Sequence, residues 1–97
     1  MKKKQQTVSI KLGNNKIVSK PFDFEAMCKI NEVHGKGNVG LVSLGNAALA
    51  YLFEGTEVTD SVIEALPLDE RTALCTAIAH IYLDILAEAN SYRTKNL

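Results

Sequence analysis

His80 and Asp84 come closest to a chemical constellation in this chain. They stand at i and i+4, which puts an imidazole and a carboxylate on one helical face. Such a pair orients an imidazole for proton transfer or fills part of a metal shell. A metal needs a third ligand, and nucleophilic catalysis needs a Ser or Cys within reach. No residue has the spacing for either. The pair reads as a hydrogen-bonded surface contact. His34 falls at the end of a helical stretch, where an imidazolium meets unpaired carbonyls, and reads as a C-terminal cap. Gly35-Lys36-Gly37-Asn38 has the glycine content of a phosphate loop, but no strand precedes it and no Lys-Ser/Thr follows. It reads as an interhelix loop. The acid pairs Asp69-Glu70 and Glu54/Glu57 belong to a helix start and a solvated loop, with nothing to split their pKa values. Cys28 and Cys75 show no Cys-x-x-Cys or Cys/His ligand spacing, and read as free buried thiols of a reducing cytoplasm. The expectation is a non-enzymatic chain with no catalytic residue, metal or cofactor.

What remains is a scaffold for binding. Ninety-seven residues suit one domain, 1–97, with a core of its own. Eleven basic residues balance eleven acidic ones, so no net field draws in nucleic acid or an anionic membrane. The aromatic residues sit on apolar faces rather than among Lys and Arg, which also argues against nucleic acid. The Lys2-Lys3-Lys4 cluster precedes no apolar run and is not a secretory signal. The longest apolar-rich segment, Ala73 to Ala89, is broken by Thr76, His80, Asp84 and Glu88, which is expected to exclude a simple membrane span.

The elements follow from periodicity. Residues 1–6 read as a loose end. Val8, Ile10 and Leu12 alternate with Ser9 and Lys11, the pattern of a half-buried strand. Gly13-Asn14-Asn15-Lys16 is a hairpin turn. With Asn14-Asn15 as its two-residue loop, Leu12 faces Ile17 and Ile10 faces Ser19. Pro21 stops the second strand, and Asp23 caps a helix over Phe24 to Val33 by accepting from first-turn N–H groups. Phe22 and Met27 flank that cap at hydrophobic-staple spacing. Phe24, Met27, Cys28 and Ile30 are its expected apolar side. Three glycines, Gly35, Gly37 and Gly40, make the next loop.

A second helix spans Leu41 to Phe53. Its small residues Gly45, Ala47, Ala48 and Ala50 suit close approach by another helix. Gly55 stops it. Thr59 opens a short third helix, with Val58 and Ile63 at staple spacing, and Pro67 ends it. The last helix, Asp69 to Ser91, is the longest, with Asp69 as its cap. Its apolar residues spread widely around the circumference. It is either the central helix of the monomer or a helix with a face left for self-association or a partner. Residues 92–97 are polar and expected to fray. The expected class is α+β, mostly α: an N-terminal β-hairpin packed on a three- to four-helix body with a long C-terminal helix.

The run GNNKIVSKPFDFEA, from Gly13 to Ala26, resembles the tail assembly chaperones of long-tailed (siphovirus-like) bacteriophages or prophages. Those small proteins open with a hairpin, pass an F-D-F-E-A-like step and continue as helices. The likeness is specific at Phe22–Ala26; beyond it only layout, helical patterning and length agree. It implies a chaperone that binds the tape measure protein and helps bring tail tube protein to it, in the cytoplasm of the bacterial host and outside the mature virion. A longer frameshifted form is common in that family. The family carries no catalytic motif and no fixed contact residues, so contacts are read from patterning. A client helix needs a groove of apolar and small residues. The expected groove joins Leu44, Ala48, Tyr51 and Leu52 of the second helix to Ile78, Tyr82, Ile85 and Leu86 of the last. A homo-oligomer is possible on the same surfaces. The alternatives are a small structural tail or head-completion protein, or a cellular protein-interaction module.

Overall fold

The computed structural model describes residues 6–95, with side chains through Arg93. The Lys2–Lys4 cluster and the end residues 1–5 and 96–97 lie outside it. The fold is α+β and mostly α. Strands β1 (Ser9–Leu12) and β2 (Asn15–Val18) precede helices α1 (Phe24–His34), α2 (Leu41–Leu52), α3 (Asp60–Glu64) and α4 (Leu68–Lys95).

The hairpin closes one position earlier than the two asparagines suggest. Leu12 pairs with Asn15, Ile10 with Ile17 and Ser9 with Val18. The loop is Gly13-Asn14, and Gly13 takes φ +60 while no non-glycine among the described residues has positive φ. Glycine bears that conformation without a Cβ clash, so it, rather than an asparagine, fixes the turn. The expected pairings of Leu12 with Ile17 and Ile10 with Ser19 are corrected accordingly. Moving the turn by one shifts the partner strand by two, which preserves the faces. Val8, Ile10 and Leu12 still look inward: Ile10 is buried, and Val8, Leu12 and Ile17 pack against the core. Ser19 closes the open end of the ladder. Its backbone N–H donates to the Val8 carbonyl at 2.8 Å, and its hydroxyl accepts from the Val8 N–H at 3.0 Å. The Lys20 N–H donates to the Leu52 carbonyl at 2.9 Å, tying the hairpin to an otherwise orphaned group at the end of α2. Gln6, grouped with the loose end, accepts from the Phe22 N–H at 2.9 Å.

Asp23 caps α1, accepting from the Ala26 N–H at 3.0 Å. The buried side of α1 is Ala26 and Ile30, with Met27 and Val33 half-buried. This corrects two expectations. Phe24 is 81% exposed, and Cys28 is an exposed thiol, whereas Cys75 is buried. The helix docks along Ala26–Ile30–Val33, at i, i+4 and i+7, because the small Ala26 admits close packing. Phe24 and Cys28 fall outside that line.

Thr59 caps α3, and Val58 and Ile63 are both buried, as the staple spacing requires. The last helix starts at Leu68, so Asp69 stands inside its first turn and accepts from the Glu70 N–H at 2.9 Å. There its charge still suits the positive helix end. The helix continues past Ser91 to Lys95, because no Gly or Pro interrupts it.

Candidate functional site

The centre of the molecule is the seam between α2 and α4. Leu44, Gly45, Ala48, Leu49 and Leu52 are its buried residues on α2. Cys75, Ile78, Ala79 and Tyr82 are buried on α4. At Gly45 the backbones meet: a Cβ there would collide with the Cys75 carbonyl oxygen. The small residues of α2 thus admit the chain's own last helix.

That packing relocates the expected groove. Leu44, Ala48, Leu52, Ile78 and Tyr82 lie in the monomer core, and none is presented to a partner in this conformation. Their apolar pattern was strong because the core requires it. Tyr51, Ile85 and Leu86 are half-buried, and Leu86 packs against the core. The structure does not gather the eight residues into one open site.

The seam itself runs out into solvent at one end. A groove of about 330 Å³ there is lined by Val42, Ser43 and Asn46 of α2 and Leu68, Arg71 and Thr72 of α4, with Cys75 at its floor. Leu68 lies one heptad before Cys75, and Val42 one heptad before Leu49, so each continues a buried face. Leu68 is nevertheless 84% exposed and Val42 45%. Leu41 next to it is exposed as well. Asn46 Oδ1 accepts from Arg71 Nη2 at 3.2 Å and lies 3.9 Å from Cys75 Sγ. Burial pushes the Cys75 thiol up, with Arg71 opposing, so it remains a protonated apolar floor. Sequence patterning missed Leu68 and Val42. The heptad Leu68–Cys75–Tyr82 was the available signal.

Two polar joints position these helices. Tyr51 donates to Asp23 Oδ2 at 2.6 Å, linking α2 to the α1 cap. The Lys20 ammonium lies 3.9 Å from the Tyr51 ring centroid. The Tyr51 hydrogen bond, then the Ala26 N–H, hold Asp23 below its usual value, while the same Tyr51 bond lifts the phenol to about 12. At the other joint, Tyr82 donates to Asn31 Oδ1 at 3.1 Å. Its single hydrogen is thereby used, so it accepts from His34 Nδ1, 2.8 Å away. His34 thus bridges α1 to α4, where sequence reasoning assigned it only to the helix end. Burial pushes the Tyr82 phenol up.

The other chemical candidates stay apart. His80 and Asp84 are both exposed, and no hydrogen bond joins them. Among the described residues no three His, Cys, Asp or Glu side chains cluster as a metal site. By length and composition alone, Leu68–Arg93 is apolar enough to cross a membrane. The polar residues at 76, 80, 84 and 88 therefore do not decide that question; packing on α2 is the other use of such a helix.

No protein-family model matches the chain, and neither any curated protein nor any solved structure matches it significantly.

Proposed function

We propose that this chain is a non-enzymatic assembly chaperone of the phage-tail kind, holding an apolar helical client soluble. The observation that carries the reading is the open end of the α2–α4 seam. Leu68 and Val42 present apolar surface there on two helices, beside a groove that the described residues leave unfilled. An amphipathic client helix can lay one or two apolar side chains into such a groove, with Arg71, Asn46 and Thr72 as a polar rim. The likeness at Phe22–Ala26 supplies the client class: the tape measure protein, with tail tube protein recruited to the complex in the host cytoplasm. Charge balance leaves hydrophobic contact, rather than electrostatic steering, as the main source of affinity.

Co-expression with a tape measure protein tests this. The client is expected to become soluble and to co-elute with this chain on size exclusion. A client equally soluble alone, with no complex, sinks the chaperone reading. Recovery of this chain in purified virions would assign it instead to the tail or head structure.

A further inference from the structure

Among the described residues, strand β1 has a neighbouring strand on one edge only. In an antiparallel ladder, alternate residues turn both N–H and C=O toward the same neighbour. The Val8 carbonyl accepts from Ser19, and Ile10 lies opposite Ile17, so Val8, Ile10 and Leu12 bond to β2. Ser9 and Lys11 therefore turn their backbone groups to the other edge. No third strand lies there among the described residues. A groove of about 380 Å³ runs along it instead, touched by residues 8–11 in unbroken succession. Successive strand residues point to opposite faces, so a groove touching four in a row follows the edge, not a face. Its far wall includes Leu66, Glu70, Ala73 and Ala77. Ala73 and Ala77 are exposed and small, leaving room beside the strand.

We propose that a second copy of this chain docks here, β1 against β1, antiparallel about a two-fold axis at Ile10. That register sets Ser9 opposite Lys11 of the other copy, and Lys11 opposite its Ser9. Both residues carry outward N–H and C=O groups, so the pairing satisfies all of them in both copies. It also sets each Lys11 against a neutral serine. A register centred on Lys11 would oppose two ammonium groups and is disfavoured. The groove carries one cation and one anion, Lys11 and Glu70, neither ion-paired among the described residues. A second copy brings the complement of each. This inference rests on the β1 edge, not on the chaperone reading.

Sedimentation velocity over a concentration series, with hydrogen exchange, tests it on the full chain. The parent is expected to dimerise, with Ser9 and Lys11 amides slowing as concentration rises. Ala73→Arg fills the groove from an exposed helical position and should raise the dimer dissociation constant roughly tenfold or more. Lys11→Pro removes an outward N–H while sparing the β2 ladder and should act likewise; if it fails to fold, Ala73→Arg and the exchange data decide. A parent that stays monomeric, a dimer indifferent to Ala73→Arg, or edge amides insensitive to concentration overturns the proposal. So does an extended client segment occupying the edge of a monomeric chain. Ala73→Arg leaves the Val42–Leu68 groove intact, so loss of the dimer and loss of client capture are read separately.

Discussion

At Gly45, α2 meets α4 backbone to backbone with no side chain between them. At Tyr51, later on the same helix, α2 meets α1 through an exposed phenol–carboxylate bond under a lysine. The first contact has no tolerance, because neither backbone can give way without parting two helices. The second is polar and wet, and each partner can be solvated when the other is removed. One helix therefore carries both the most fragile contact of the fold and one of its most forgiving.

The sharpest way to break this contrast is Gly45→Ala. Helix propensity alone favours alanine by about 1 kcal/mol. The clash with Cys75 carbonyl reverses the sign, and a loss of about 3 kcal/mol or more is expected by chemical denaturation. Gly40→Ala is the control: nothing lies within 4 Å of the added Cβ, so only alanine's poorer fit at the α2 N-cap counts, roughly 0.5–1 kcal/mol. Equal effects at the two positions would mean that the helices do not touch at Gly45.

Next in size stands Phe22→Ala, expected to cost about 2 kcal/mol because the ring is half-buried against the core. Tyr82→Phe should cost about 1 kcal/mol. It removes the hydroxyl between His34 and Asn31 but keeps the buried ring. A Tyr82→Phe protein as stable as the parent would show that the bridge is incidental to the α1–α4 contact.

The Tyr51–Asp23 bond predicts a pH signature smaller than these losses. Asp23 is held below its ordinary 3.8 in the folded chain. Its contribution is therefore complete above the unfolded value and fades as pH falls through the folded one. Tyr51 is raised to about 12, so its contribution is complete below about 10 and is lost as pH rises through 12. In an absorbance titration, Asp23→Asn should return Tyr51 toward its ordinary value. A phenol that titrates unchanged in Asp23→Asn breaks the pairing.

The same contrast explains what the sequence disclosed. Asp23, Thr59 and the Val58–Ile63 staple were legible because caps and staples are local, decided within a few residues. The strand faces were legible for the same reason. The turn position was not, since Gly13 and the asparagines competed for it and only a left-handed φ settled the choice. The α1 face was misjudged because the more hydrophobic Phe24 and Cys28 outweighed the smaller Ala26. Ala26 decides the docking by what it lacks. The partner groove was misplaced for a related reason. An apolar stripe looks the same in sequence whether its own chain or a client covers it, and Tyr82 and Ile78 are covered by their own chain. Residues left uncovered, such as Leu68, depend on where α2 ends in space.

Leu68 supplies the test with the smallest effect on stability and the largest on function. At 84% exposure it contributes little to the core, so Leu68→Glu should leave stability within about 0.5 kcal/mol of the parent. The acidic side chain at N1 of α4 even suits the helix dipole. Client binding should nevertheless fail, because a carboxylate at the groove mouth must be desolvated by any apolar helix that enters. Val42→Glu should act in the same direction. His80→Ala, on an exposed position with no hydrogen bond to Asp84, should change neither quantity. A client retained equally by parent and Leu68→Glu would remove the α2–α4 groove from the binding surface. Retention lost in His80→Ala would move the contact to the outer face of α4 instead.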